Sequence, residues 1–173
     1  MNDALHARGT FHLRCWDDAN RLVRSEIFPN TVVTVGMNQM LDSALAGAAY
    51  TVTGPFMGLI SSVGFTGIVA SDTMALHPGW NEAGNSNAPT YTGTRGTCAW
   101  SAAAAGSKAL SAPLSYGITG AGTLKGAFIV FGAGATNAID STTGVLWSAG
   151  LFTGGDLAVN TGYLVAVTYS CSL

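Results

Sequence analysis

The residues best placed to do chemistry lie together in one stretch, Ser71 to Glu82. His77 stands five residues after Asp72 and five before Glu82. A histidine between two carboxylates could act as a general base or a metal ligand, provided all three share a face. Pro78 argues against that, because the residue before a proline avoids helical geometry and an i, i+4 ligand pair is then unavailable. The alternative is a loop histidine that hydrogen-bonds its neighbours. His6 and His12 are six apart and have no acidic partner at ligand spacing, so they match no zinc pattern. There is no G-x-S-x-G nucleophile elbow and no phosphate-binding loop. Asp17-Asp18 with Asn20 is a fragment of a calcium loop, but the full acidic ladder is missing and a turn is the better reading. Cys15, Cys98 and Cys171 are far apart and contain no C-x-x-C, which makes them small core residues. No enzyme, cofactor or metal site is expected from these patterns. Trp80, Trp100, Tyr91 and Arg95 are residue types that make binding hot spots. They are equally the types that fill a β core and its covering loops.

Composition narrows the partners. Charged residues make up 9% of the 173-residue chain, against roughly 25% in an ordinary globular protein. Glycine (23 residues) and other small residues fill the gap. A surface so poor in charge suits a protein covered by partner subunits better than a free monomer. The net charge of −2 excludes a nucleic-acid footprint. No run reaches the ~20 apolar residues of a membrane helix, so no membrane partner is expected. Met1 to Ala4 lacks a basic region followed by an apolar one, and synthesis in a reducing cytoplasm is expected. Four of the seven basic residues, Arg8, Arg14, Arg21 and Arg24, fall in the first 24 positions. They make either a solvated hairpin or a grip on an acidic partner.

The elements that must position these residues are mostly strands. Leu124–Phe131 is apolar on both faces, β-branched and aromatic, and punctuated by glycines. It reads as the central strand of the domain, covered on both sides. Residues 9–28 read as a hairpin with Phe11, Leu13 and Cys15 on one face and a turn over 17–20. Tyr163 to Cys171 alternates strictly, as a half-buried strand does. Further strands are expected at 31–35, 56–60, 114–118 and 145–152. One amphipathic helix is expected over about 36–46, with Met37, Met40, Leu41, Ala44 and Leu45 inward, Asn38, Gln39, Asp42 and Ser43 outward, and Gly47 as its C-terminal cap. Asp72 can open a single helical turn that Pro78 ends. The sum is a mostly β fold: an antiparallel β-sandwich, in its finer form a jelly roll, with one short helix. Residues 1–8 read as an arm and 9–173 as a single β domain from which the hairpin 9–28 can protrude.

The order of motifs resembles a family of tailed-bacteriophage virion proteins that serve as capsid decoration or cement. The stretch from Phe28-Pro29-Asn30 through Val35-Gly36-Met37-Asn38 to Leu41-Asp42 is similar to that family's strand-to-helix join. Phe56-Met57-Gly58-Leu59 and the run from Asp72 through His77, Gly79 and Trp80 to Glu82 are similar to its "Y-[MV]-G-L" and "D-T-M-A-x-H-x-G-W-x-E" signatures. Arg95 follows where relatives carry an arginine. Pro78 after the histidine is a departure. The resemblance implies a β domain on the capsid exterior that bridges major capsid protein subunits and associates with itself as a dimer or trimer. Arg8, Arg14, Arg21 and Arg24 would grip the shell, and Trp80 and Arg95 would make outer or intersubunit contacts. The alternative is a tail or baseplate component, or a receptor-binding tip that contacts glycan through Trp80 or Trp100.

Overall fold

The computed structural model describes residues 7–45 and 53–172. Most of the expected arm, and the Gly47 cap, lie outside these residues. In chain order the elements are β1 (Arg8–Trp16), β2 (Leu22–Pro29), β3 (Thr31–Val32), α1 (Thr34–Leu45), β4 (Phe56–Ser61), β5 (Asn81–Glu82), β6 (Thr90–Tyr91), β7 (Gly96–Thr97), β8 (Ser107–Ala109), β9 (Leu114–Gly120), β10 (Gly122–Phe131), β11 (Val145–Leu151), β12 (Leu157–Val159) and β13 (Leu164–Ser172).

They form two antiparallel sheets. Sheet A runs β2-β1-β13-β9-β6, with β8 also on β13; sheet B runs β3-β11-β10-β4-β5, with β12 on β10 and β7 on β4. The architecture is that of a β-sandwich with a single short helix. β1 pairs with β13 along its whole length, from Arg8 opposite Ser172 to Trp16 opposite Leu164. The hairpin is therefore part of sheet A and does not project from it. Its turn is held by Asp17, whose Oδ1 accepts from the Ala19 N–H (3.0 Å) and the Arg21 N–H (2.9 Å).

Period-2 alternation decides what each sheet buries. Phe11, Leu13 and Cys15 of β1 and Val165, Val167 and Tyr169 of β13 point inward and meet Met57, Leu59, Ala127 and Ile129 of sheet B. β10 has a second buried face. Phe128 and Val130 point away from sheet A into another core, with Ile60, Leu146, Met74 and Trp80. The continuous apolar run from Phe128 to Phe131 is explained by this: β10 sits between two cores, and the segment 62–80 lies over sheet B as a third layer.

The helix departs from expectation in its orientation. Asn38 and Asp42 are exposed and Met40 half-buried, as expected, but Met37 and Leu41 are exposed, at 37% and 51%, and Gln39 and Ser43 are half-buried. The reason is Gly36, which is buried against β11: a Cβ there would come within 2.7 Å of the Trp147 carbonyl oxygen. The closest approach of helix to sheet selects the smallest residue, not the most apolar stripe. The expected helical turn at Asp72 is also absent. Residues 72–80 form non-helical turns, such as Thr73 N–H to the Leu76 carbonyl and Trp80 N–H to the His77 carbonyl.

Candidate functional site

The signature residues converge on one buried network over the outer side of sheet B. Asp72 is 2% exposed, and its Oδ2 accepts from Trp80 Nε1 at 3.0 Å and from the Val69 N–H at 3.1 Å. Trp80, 1% exposed, stacks on His77 at 3.9 Å between centroids and leans on Phe128 at 5.1 Å. His77 Nδ1 lies 2.9 Å from the Trp80 carbonyl. A carbonyl only accepts, so Nδ1 carries the proton. Glu82 faces Arg95 in a two-point pair, with Nε to Oε1 at 2.8 Å and Nη2 to Oε2 at 2.7 Å. Arg95 also donates to the Thr136 and Ser141 carbonyls and lies over the Phe128 ring at 5.3 Å.

Two glycines of the same motifs make the room. A Cβ on Gly58 would sit 2.5 Å from the Phe128 ring and 2.8 Å from Glu82 Oε1; one on Gly79 would collide with the Gly67 carbonyl oxygen. Burial pushes the Glu82 carboxyl up from its ordinary value, while Arg95 and the Asp140 N–H pull it down. With three donors aimed at it, the group works as a carboxylate.

Chemically this is a latch. Each carboxylate is already committed to donors of its own chain, and His77 is fixed by its neighbour. A recess of about 280 Å³ beside it is lined by His77, Glu82, Ser86 and Asp140. Asp140 Oδ2 there already accepts from the Ser86 N–H and hydroxyl. Among the described residues no three His, Cys, Asp or Glu side chains stand close enough to hold a metal ion. Trp80 and Arg95, which sequence reasoning offers as contact residues, are both 1% exposed and spent inside the chain.

The four N-terminal arginines divide. Arg21 pairs with Asp17 at 2.7 Å across the hairpin turn. Arg24 points between the sheets, pairs with Glu26 at 2.8 Å, donates to the Gly155 and Asp156 carbonyls and lies over Phe152. Arg8 and Arg14 point the other way and are exposed, with no ion-pair partner among the described residues. They share the outer face of sheet A with Trp16, Leu22, Ile27 and Leu164. Leu22, Ile27 and Leu164 are 55%, 64% and 39% exposed. Sequence reasoning missed this apolar component. A bulge where Trp16 faces Leu22 interrupts the alternation of β2 and hides its face from a period-2 reading.

Compared with protein-family models, curated proteins and solved structures, the chain matches none.

Proposed function

We propose that the chain is a non-enzymatic virion structural protein, a decoration or cement protein. It binds the exterior of a tailed-phage head, bridges major capsid protein subunits and stabilises the shell. It would be made in the bacterial host cytoplasm and act on the particle, associating with itself as a dimer or trimer.

One observation carries the reading. Of the residues that carry the family resemblance, Gly58, the Asp72–Glu82 run and Arg95 meet around the Phe128 ring, while the Phe28–Asp42 join lies outside this network. In this chain those residues hold the 62–80 layer onto sheet B, a structural role that supports the reading. The low charge of the chain supports a surface meant to be covered. The outer face of sheet A, partly apolar and carrying two arginines without an ion-pair partner among the described residues, supports attachment there.

The tail-tip alternative draws on a groove of about 400 Å³ containing Trp100, Trp147 and Phe131. Among the described residues its one charged lining side chain is Lys108. A glycan site needs several polar groups at fixed positions, and Trp80 is buried away from any ligand.

Imaging the purified virion at side-chain resolution tests the proposal. Ordered density on the shell between capsid subunits is expected; density confined to the tail, or absence from the particle, overturns it. Deletion of residues 1–8 tests the arm. It removes one rung of the β1–β13 ladder, Arg8 opposite Ser172, so the fold should persist and shell attachment should weaken. Undiminished attachment would remove the arm from the mechanism.

A further inference from the structure

The geometry points to the outer face of sheet A as a docking surface for a carboxylate-bearing, partly apolar protein segment. One Asp or Glu of that segment would seat in a recess beside Arg14. The inference rests on the decoration reading for the identity of the partner, but not for the chemistry of the face.

Four strands, β2, β1, β13 and β9, present this face side by side. At about 4.8 Å per strand and 3.3 Å per residue over nine residues it spans roughly 500–600 Å². That is somewhat less than the ~800 Å² each partner buries in a standard interface, and fits one of many repeated contacts whose strength comes from avidity. In its middle lies a recess of about 240 Å³ lined by His12, Arg14, Trp16, Pro113, Ala166 and Thr168. The register explains it. Arg14 faces Ala166 and His12 faces Thr168 across the β1–β13 ladder. Long side chains on one strand and short ones on the next leave a hollow. Its floor is small, one wall is aromatic and its charged member is a guanidinium.

The charge of the face selects the occupant. The strand positions that point outward from sheet A, alternating with the buried ones, carry Arg8 and Arg14 and no Asp or Glu. Two carboxyls of the hairpin are committed elsewhere: Glu26 points between the sheets to Arg24, and Asp17 closes the hairpin turn. A second copy docked face to face about a two-fold axis would set arginines against arginines, which costs affinity. A nucleic acid needs an array of cations along its phosphates, and two arginines on a chain of net charge −2 do not supply one. A segment with carboxylates for Arg14 and Arg8, and apolar residues for Trp16, Leu22, Ile27 and Leu164, matches both the charged and the apolar groups of the face. A guanidinium is built to hold a carboxylate at two points.

The test uses a photo-crosslinking amino acid at position 27, and separately at 168, in the full chain produced in phage-infected cells. Crosslinked peptides are identified by mass spectrometry. A control crosslinker goes at exposed Ala158 of β12, on sheet B. The expected result is one dominant adduct at 27 and 168, and not at 158, to a peptide that contains Asp or Glu. Its yield should fall about tenfold when Arg14→Glu is added, the factor that 1.4 kcal/mol represents. If the peptide belongs to the major capsid protein, both the face and the decoration reading stand. If it is an acidic segment of a tail protein, the face stands and the decoration reading fails. An adduct to a second copy of this chain, to a segment without carboxylates, or no adduct overturns the docking proposal. So does a yield that Arg14→Glu leaves unchanged while the variant keeps the wild-type melting temperature.

Discussion

Glu82 and Arg95 each stand almost wholly inside the chain, with side chains 3% and 0% exposed. A buried pair gains little over an apolar replacement, but removing one partner strands the other. Arg95→Met should therefore cost about 3–5 kcal/mol, and Glu82→Gln with Arg95→Met should cost less than the single change. The deficit should also depend on pH. Burial already pushes the Glu82 carboxyl above its ordinary 4.5, and without Arg95 the main opposing pull is gone. A carboxyl raised in the folded state gives stability that is fully present below its unfolded value and lost as pH rises through the folded one. Urea midpoints of Arg95→Met should thus lie nearer wild type at pH 5 than at pH 8. Equal deficits at both would mean that Glu82 is not left charged and unpaired. None of this pairing is legible beforehand: thirteen positions separate the two residues, and no periodicity links a short β5 strand to the residue before β7.

At the scale of elements, the long strands were legible because alternation and burial are the same fact seen twice. β13 alternates between core and solvent and β10 between two cores; in the first the sequence alternates and in the second it cannot. The two-residue strands β3, β5, β6 and β7 carry no pattern long enough to read, and tertiary contacts alone define them. The helix shows how a correct period can carry the wrong phase. Methionine and leucine at i and i+4 suggested the buried stripe, whereas close backbone approach at Gly36 set the rotation. Met37→Gln and Leu41→Gln should accordingly stay within about 0.5 kcal/mol of wild type, as exposed substitutions do. Gly36→Ala should cost about 1–3 kcal/mol, since its Cβ would meet the Trp147 carbonyl oxygen and force helix and β11 apart. Thermal denaturation of the three variants separates the two rotations: if the glutamine variants are the damaged ones, the helix faces the other way.

For the whole molecule, the sandwich buries acids that must stay protonated. Burial pushes the Cys15 thiol up to about 11, Cys98 to about 12 and the Tyr169 phenol to about 12, and raises Tyr91 and Tyr116 as well. All of them line the core between the two sheets, so the fold cannot ionise one of them locally without hydrating the contact of sheet with sheet. Their ordinary values are 9.0 for the thiols and 10.0 for the phenols. The unfolded chain therefore releases these protons at lower pH than the folded one. Stability is fully present below about pH 9 and falls as pH climbs toward 11 and 12, because the unfolded state binds fewer protons across that window. The urea midpoint should be level from pH 7 to 8.5 and drop steeply from 9.5 to 11.5. Phenolate absorbance from Tyr91, Tyr116 and Tyr169 should appear in one cooperative step together with the loss of sheet signal. Cys98→Ala, which removes one such group, should shallow that fall. A midpoint level to pH 11, or tyrosines titrating gradually while the sheets persist, would mean that water reaches the space between the sheets and that the core is not closed as the structure has it. Near neutral pH every one of these groups is neutral, and the space between the sheets stays dry.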